Sequence, residues 1–308
     1  MESKNNWKAW LYLAPALILM AVFTFYPLIN TVLISFLKDY NYTTGANSGF
    51  TFENYGKVLG IIPNIEGIPE STITVFIKYA LPNTLIITFV TVPISIIISL
   101  LIAIAINSIK VLQKFFQTVF FMPYVTNVIA VGIVFSVLFN DYGLINNLLG
   151  IDGTKWVSQG VTRFNALFVL CLYIIWNALP YKILIFLSGL QGIDKQYYEA
   201  AKIDSTPKIK THLKITVPLL SPQILYITIT SFIGAFKEYN AIIGLFNRSY
   251  TSDGNVNDLY TVVYYIYSQL ELTTPKMHFA AAAAVILFVI ILGFTLLQNV
   301  VSKKRVHY

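Results

Sequence analysis

Charged and polar side chains are concentrated in one stretch of this chain, Tyr197 to Pro222, which reads YYEAAKIDSTPKIKTHLKITVPLLSP. Because long apolar runs precede and follow it, the stretch is expected to lie in water at a membrane surface. Such a stretch can bind a protein partner or rest on anionic lipid. No Ser/His/Asp or paired-carboxylate arrangement is apparent in the sequence, so we predict that the chain is not itself an enzyme.

The polar stretch and its flanks, residues 191–222, are called the elbow below. Their sequence predicts two short helices joined by a turn. The first helix is expected over Gln196–Ile203 and the second over Pro207–Thr216. Thr206 before Pro207 fits an N-cap followed by proline at the first helical position. Prolines 218 and 222 then mark the start of the next apolar run, which would tie the elbow firmly to its neighbours.

The composition places the chain among membrane proteins. Apolar residues make up 56% of it and charged residues 11%, against roughly 25% charged residues in soluble domains. Strand-like alternation is absent, so an all-α membrane protein with six transmembrane helices is predicted. The six apolar runs, each long enough to cross a bilayer, are 11–36, 83–107, 115–139, 164–190, 219–246 and 279–301.

Three ionisable residues, Lys182, Lys237 and Glu238, fall inside these apolar runs. Charged groups are costly in hydrocarbon, so each is expected to face the bundle interior, a partner or water. Lys237 and Glu238 are neighbours and must point in different directions. We therefore expect Glu238 to face an internal path and Lys237 to face outward, although a structural ion pair also remains open. Asn127 is expected to form an interhelical hydrogen bond.

The distribution of Lys and Arg predicts the orientation. With six helices and a cytoplasmic N-terminus, the inner segments hold 12 of these residues and the outer segments 7. Both termini are therefore expected in the cytoplasm, and the net charge of +7 indicates topology, with no nucleic-acid partner. The chain divides into a first helix with an outer segment (1–79), a membrane core that contains the elbow (80–301) and a cytoplasmic tail (302–308).

The spacing within the elbow resembles the EAA motif of ABC importer permeases. That motif has Glu-Ala-Ala, three residues, Gly, nine residues, Ile, one residue, Leu and Pro. This chain has Glu199-Ala200-Ala201, Ser205 at the glycine position, Ile215, Val217 at the leucine position and Pro218. Ser205 departs from the family glycine and is expected to stiffen the turn, because serine tolerates a positive φ poorly.

The remaining sequence resembles the carbohydrate branch of that family, the maltose-type permeases. The similar segments are LAPALILMAVFTFYPLINTVLISF, FFMPYVTNVIAVGIVFSVLF and a terminal VHY after a Lys/Arg cluster. A second departure lies at Asn247–Tyr250, where the family often has Gly-Gly-Pro. The implied fold is that of a type I ABC importer permease, and the implied function is a permease subunit for a sugar, oligosaccharide or polyol.

The resemblance implies that the elbow inserts into a groove on a cytoplasmic ATPase. Since the chain has no G-x-x-x-x-G-K-[ST] sequence, ATP and Mg²⁺ are expected on that partner and no cofactor on this chain. The other implied partners are a second homologous permease, a second ATPase copy and an extracytoplasmic binding protein, assembled in a bacterial cell membrane. The implied coupling residues are Glu199, Ala200, Ala201, Asp204, Ser205, Ile215 and Pro218.

In maltose-type permeases the sugar contacts lie around a W-x-x-x-P-Y segment before the elbow and a Ser-Phe segment after it. The matching segments here are Trp176–Tyr181 and Ser231-Phe232. A sugar needs hydroxyl-directed hydrogen bonds and an aromatic face in a mostly apolar wall. The implied path residues are Asn177, Tyr181, Ser231, Gly234, Ala235 and Glu238. An ion-coupled secondary carrier and a non-transporting membrane scaffold remain as alternatives.

Overall fold

The structure, a computed structural model, describes residues 6–62, 75–109, 113–151, 153–247, 259–270 and 276–302. Within these ranges the regular structure is helical, apart from an isolated bridge between Leu37 and Phe50. The predicted all-α fold class is confirmed. In chain order the helices are α1 (Asn6–Met20), α2 (Tyr26–Ser35), α3 (Glu53–Val58), α4 (Leu81–Ser108), α5 (Gln113–Val125), α6 (Val128–Leu138), α7 (Leu144–Leu149), α8 (Arg163–Gln191), α9 (Lys195–Ile203), α10 (Lys208–Thr211), α11 (Val217–Leu219), α12 (Ser221–Phe236), α13 (Asn240–Phe246), α14 (Val262–Leu270) and α15 (Met277–Ser302).

Short π-helical turns connect or extend several of these helices, at Ala21–Phe25, Phe76–Ala80 and His212–Thr216. The predicted outer departure from the family pattern at residues 248–250 lies outside the described residues. So do the basic residues Lys4 and Lys110 and the terminal Lys/Arg cluster that begins at Lys303. The orientation inferred from these basic residues therefore stays a prediction.

Four helices in the described part of the chain are long and apolar enough to cross a membrane, and up to six candidate spans are present if each bent helix pair is counted as one. Two segments form bent pairs, Gln113–Val125 with Val128–Leu138 at 99° and Lys208–Leu219 with Ser221–Phe236 at 68°. The upper number equals that of the six apolar runs, but the second pair begins at Lys208 inside the elbow and covers only part of the fifth run, 219–246. The four uninterrupted spans are Trp10–Ser35, Phe76–Ser108, Arg163–Gln191 and Met277–Ser302.

The third apolar run is broken where a continuous span was expected. Asn127 has an extended backbone, and its side chain accepts hydrogen bonds from the backbone N–H groups of Ile129 at 2.8 Å and Ala130 at 3.4 Å. Asn127 is thus the N-cap of α6. The expectation that Asn127 bonds to another helix was wrong, because the chain bends at this residue and leaves the first N–H groups of α6 to be satisfied.

The fifth apolar run, 219–246, is also divided into two helices. Its first part, α12, ends at Phe236, and α13 begins at Asn240. The non-helical residues between them include Glu238, whose Oε1 accepts the backbone N–H groups of Tyr239 at 3.1 Å and Ala241 at 2.9 Å. A carboxylate at this position satisfies the N-terminal donors of α13, which is why a new helix can start here inside an apolar run.

The chain divides into two compact units, and the first contains residues 1–77 together with 265–289. In this unit the polar segment after α2 folds back onto the end of that helix. The ring of Phe36 lies 5.2 Å from Phe50 and 5.3 Å from Phe52. The amide of Asn54 donates to the backbone oxygens of Ser35 and Leu37, both at 2.9 Å. These contacts fix the start of the segment that follows α2.

The second unit contains residues 78–264 and 290–308 and is built on α4 and α8. Near the elbow, the buried side chains of α8 pack with Ala103 and Ile106 of α4 and Ile227 of α12. Toward the other end, α8 packs with α6 and α13 around the fully buried Tyr173. One long helix therefore runs through both cores and can position groups along its whole length.

The short helices α6 and α13 cross at two glycines. A Cβ atom added to Gly132 would lie 2.7 Å from the Cα of Gly244, and one added to Gly244 would lie 3.1 Å from the Cα of Gly132. Only hydrogen atoms fit between the two backbones at this distance. The helices that follow the breaks in the third and fifth apolar runs are therefore held together by close packing of small residues, which is common in membrane bundles.

Candidate functional site

The first helix of the elbow, α9, has well-defined ends. The side chain of Asp194 accepts the backbone N–H of Gln196 at 2.9 Å and caps the helix start. At its end, the N–H of Ser205 donates to the oxygen of Lys202 at 3.0 Å, and the N–H of Thr206 donates to that of Ala201 at 2.9 Å. This pair of bonds is a Schellman motif, which requires a left-handed residue at the position of Ser205.

Ser205 has a φ of 51°, which explains why a glycine at this position suits the turn. A non-glycine residue in this conformation costs about 1–2 kcal/mol. The sequence-based expectation of a positive φ at the family's glycine position is thus met by the backbone, while the effect on stiffness stays a prediction. The turn directs the chain from α9 into the second half of the elbow.

The second half of the elbow begins one residue later than expected. Pro207 has φ −58° and ψ 143° and is the N-cap residue of α10, so the assignment of Thr206 as N-cap was wrong. The helix then passes through the π-helical turn His212–Thr216 and continues to Leu219. The hydroxyl of Thr216 is fully buried and meets the Tyr198 hydroxyl at 3.1 Å and the His212 ring at 3.2 Å. The contact between Tyr198 and Thr216 joins the two halves of the elbow.

The outer surface of the elbow carries large apolar side chains. Ile203 is 84% exposed, Ile209 75% and Leu213 64%. These residues and Tyr197, which is 53% exposed, are called the exposed apolar set. Exposed lysines surround the set, at positions 195, 202, 208, 210 and 214. Single exposed apolar residues are ordinary, but four in a segment of 17 positions indicate a contact surface.

The predicted coupling residues divide into exposed and packed groups. Glu199, Ala200, Asp204 and Ser205 are exposed, whereas Ala201 is 7% exposed and Ile215 and Pro218 are partly buried. The elbow also borders a cleft of about 490 Å³, between the end of α8 and the start of α12, lined in part by Asp194, Tyr197 and Gln223. The elbow therefore has both exposed and packed residues, so it can present a surface while its packed residues hold it in place.

A second site lies in the interior of the second unit. A cavity of about 170 Å³ is bordered by α4, α8 and α12 and by the starts of α6 and α13. Five of the six predicted path residues line this one cavity: Asn177, Ser231, Gly234, Ala235 and Glu238. The other lining residues include Thr91, Ser95, Tyr173 and Lys182. The volume is several times the roughly 30 Å³ that one water molecule occupies in the liquid.

Tyr181 is not among the residues that line the cavity. Its hydroxyl lies 3.0 Å from that of Tyr226, and its ring stacks on Tyr124 with a centroid distance of 5.7 Å. The three tyrosines form a separate aromatic group on α5, α8 and α12. The structure thus separates Tyr181 from the other five path candidates, whose role in substrate contact stays a prediction.

Lys237 and Glu238 point in different directions, as expected for neighbours. The side chain of Lys237 is exposed, while Glu238 lines the cavity and caps α13. The backbone oxygen of Glu238 also accepts a hydrogen bond from the Thr261 hydroxyl at 2.7 Å. Glu238 is therefore fixed in position by contacts on both its side chain and its backbone.

Sequence reasoning missed the contribution of α4 to the cavity. Helix α4 carries a buried stripe of hydroxyl residues, spaced three or four positions apart, that runs past the cavity wall: Thr84, Thr88, Thr91, Ser95 and Ser99. Residues at this spacing share one helix face, so the pattern was available as a signal. Within the stripe, Ser95 accepts a hydrogen bond from the Nζ of Lys182, which is only 5% exposed.

The described chain is thus a helical bundle with several candidate membrane spans and an internal cavity, as expected for a multi-pass membrane protein. The family model described as "Binding-protein-dependent transport system inner membrane component" matches residues 98–307. The chain belongs to this family.

Curated relatives cover almost the whole chain. The lactose transport system permease protein LacF of Rhizobium radiobacter is 30% identical over 302 residues, which are 96% of this chain and 94% of LacF. The arabinooligosaccharides transport system permease protein AraP of Bacillus subtilis is 31% identical over 295 residues, covering 94% of this chain and 86% of AraP.

A solved structure supports the fold. It belongs to a bacterial ABC transporter involved in the import of the acidic polysaccharide alginate, and it matches with a TM-score of 0.78 at 21% identity. The match covers 98% of this chain and 96% of that one. The predicted ABC importer permease fold is confirmed by this match and by the family assignment.

Proposed function

We propose that this chain is the permease subunit of an ATP-driven importer for a sugar, an oligosaccharide or a polyol. It forms half of the translocation path and contributes no catalytic residue to ATP hydrolysis. The family description names binding-protein-dependent transport, and the relatives LacF and AraP are named for transport of lactose and of arabinooligosaccharides. The single observation that carries the proposal is the exposed apolar set on a firmly held elbow.

The position of the exposed apolar set favours contact with a protein partner over contact with lipid. Ile203 lies at the end of α9, and Ile209 and Leu213 lie on α10 and the following π-helical turn, so the surface spans both halves of the elbow. A groove that received this surface would bury it and let Glu199 and Asp204 pair with basic residues at its rim. The proposed occupant of that role is a cytoplasmic ATPase subunit, which also binds the ATP and Mg²⁺.

The elbow has the mechanical connections that coupling requires. Its first half follows α8 after a short link, its second half leads into α12, and Tyr198 and Thr216 join the two halves. A displacement of the elbow would therefore be transmitted to α8 and α12, two of the helices that line the cavity. In this proposal, closure of the ATPase moves the elbow and so opens or closes the path at the cavity.

The complete assembly in this proposal contains four further protein subunits and lies in a membrane. A second homologous permease completes the path, two copies of the ATPase bind the elbows, and an extracytoplasmic binding protein delivers the substrate. The chain lies in a bacterial cell membrane with both termini and the elbow in the cytoplasm, as the Lys and Arg distribution predicts.

Purification of the complex tests the proposal. The tagged chain should co-purify with a soluble ATPase, and the loaded binding protein should stimulate ATP hydrolysis in proteoliposomes. A matched variant, Ile209→Ser with Leu213→Ser, should insert in the membrane but fail to retain the ATPase. Uptake driven by an ion gradient without ATP would favour a secondary carrier, and an assembled complex with no transport would favour a scaffold; each result would contradict the proposal.

A further inference from the structure

The cavity is lined by one ammonium group and one carboxylate. Lys182 and Glu238 are the charged residues among its described lining, and the remaining polar groups are hydroxyls, the Asn177 amide and the Tyr173 phenol. The phenol donates its proton to the backbone oxygen of Val128. The wall therefore carries balanced charge and offers both hydrogen-bond donors and acceptors.

Lys182 is buried with incomplete hydrogen bonding. Its Nζ donates to Ser95 Oγ, and no carboxylate in the described part of the chain lies within salt-bridge distance of it. An ammonium group has three N–H donors, so two of them have no acceptor in the described part of the chain, and the residue lines the cavity. An incompletely paired ammonium inside a membrane bundle is costly, and such residues mark functional positions.

Glu238 has spare capacity of the opposite kind. Its Oε1 is used by the two N–H groups at the start of α13. Its Oε2 has no hydrogen-bond partner among the described residues, while the residue lines the cavity. A carboxylate oxygen of this kind accepts hydrogen bonds strongly. The cavity thus places a fixed donor on α8 and a fixed acceptor at the start of α13.

We propose that Lys182 is a specificity-determining residue that, together with Glu238, selects an uncharged polyhydroxylated ring. A sugar hydroxyl both donates and accepts, so neighbouring hydroxyls can accept from Lys182 and donate to Glu238. An anionic sugar would gain from Lys182 but be repelled by Glu238, which the capping bonds hold in place. The wall therefore discriminates by repulsion as well as attraction. This inference rests on the proposed function.

Direct binding to the purified importer complex, without binding protein, tests the inference. Tritiated lactose and arabinotriose are the neutral probes, and an alginate trisaccharide is the anionic probe. The wild-type complex should bind at least one neutral probe more tightly than the anionic one. Lys182→Met should lower the affinity for that neutral probe by about tenfold or more, which is the loss expected for a hydrogen bond to a charged group. Lys182→Arg should retain most of the affinity.

Glu238→Gln provides the converse measurement. The glutamine oxygen can still cap α13, but the wall then has a net positive charge, so binding of the alginate trisaccharide should increase relative to the neutral probe. An unchanged ratio would overturn the inference. So would neutral binding that Lys182→Met leaves intact, a wild-type preference for the anionic probe, or binding of neither neutral probe.

The same variants separate this inference from the proposed function. Lys182→Met should still co-purify with the ATPase, because Lys182 lies outside the elbow. Loss of the ATPase from this variant would assign Lys182 to assembly and overturn its role in specificity. Absence of any ATPase from the wild-type complex would instead contradict the proposed function.

Discussion

The elbow and the cavity lie along the same two helices, α8 and α12, but they place polar and apolar groups in opposite ways. In the elbow, large apolar residues such as Ile203 and Ile209 are exposed, while the hydroxyl of Thr216 is buried. In the cavity, Lys182 is buried inside an apolar bundle. Both regions depart from the usual distribution of residues, in which apolar groups are covered and charges are solvated.

The difference separates two kinds of interaction. In the elbow the contact surface is exposed and is held by helix caps and turns, so it can bind a protein partner. In the cavity the polar groups are buried and are held by close helix packing, so they can bind a small ligand. Changes in the elbow should therefore affect coupling, and changes in the cavity should affect ligand selection.

The largest effect is expected for Glu199→Lys in the elbow. Glu199 is exposed on α9 beside the exposed apolar set, so reversal of its charge should not disturb the fold but should prevent docking of the ATPase. We expect normal membrane insertion with loss of uptake and of transport-linked ATP hydrolysis. The measurement is uptake and ATPase activity of the reconstituted complex.

Glu199→Gln is the matched control for that experiment. It keeps the size of the side chain and removes the charge, so it should retain part of the activity if repulsion causes the loss in Glu199→Lys. Normal uptake by Glu199→Lys would remove the assigned role from this residue and would weaken the contrast between the two regions.

Gly132→Ala is expected to have the next largest effect, on stability. The added methyl group would lie 2.7 Å from the Cα of Gly244, so α6 and α13 must move apart. Overpacking of this kind costs about 1–3 kcal/mol. The thermal midpoint of the detergent-solubilised protein should fall, while Gly293→Ala, where nothing lies within 4 Å of the added atom, should leave the midpoint unchanged or raise it. Equal midpoints for the two variants would contradict the close crossing.

Separate substitutions of Lys237 and Glu238 should show which of these two neighbouring charged residues affects substrate affinity. Glu238→Gln should change substrate affinity more than Lys237→Gln, because Glu238 lines the cavity whereas Lys237 is exposed. We expect a change of several-fold for the first variant and little change for the second, measured as concentration dependence of uptake. A larger effect of Lys237→Gln would place the path on the other side of α12.

The smallest effect is expected for Ser205→Gly. Glycine relieves the cost of the left-handed conformation at φ 51° and should stabilise the turn by about 1 kcal/mol or less. Hydrogen exchange of the Thr206 amide, which donates to Ala201, is a direct measurement of this turn. Uptake should be unchanged. Ser205→Val should accelerate the exchange, and slower exchange in that variant would contradict the assigned geometry.

Much of this architecture could be predicted from the sequence because it depends on local composition. The first, second, fourth and sixth apolar runs correspond to the four uninterrupted candidate spans, since bilayer thickness sets their length. The spacing of the elbow residues gave a two-helix elbow with a turn at Ser205. Asn177, Ser231 and Glu238 were expected on one path, and they line one cavity.

Features that depend on tertiary packing were not predicted. The breaks before α6 and α13 lie inside long apolar runs, whose average hydropathy does not mark a helix end, and they depend on hydrogen bonds from backbone N–H groups to the side chains of Asn127 and Glu238. The Lys182–Ser95 contact joins residues 87 positions apart, which a single sequence cannot bring together. Tyr181 was placed on the path by its motif, but its ring packs with other tyrosines.

Cross-linking of the elbow tests the central claim most directly. Leu213→Cys introduces a thiol into the exposed apolar set, whereas the native Cys171 is buried, and Tyr142→Cys, at a position that is 82% exposed outside the elbow, is the control. In membrane vesicles, a short bismaleimide should join Leu213→Cys, and not Tyr142→Cys, to the ATPase subunit. Absence of that product, or labelling of Leu213→Cys by an impermeant maleimide from outside intact cells, would contradict the account.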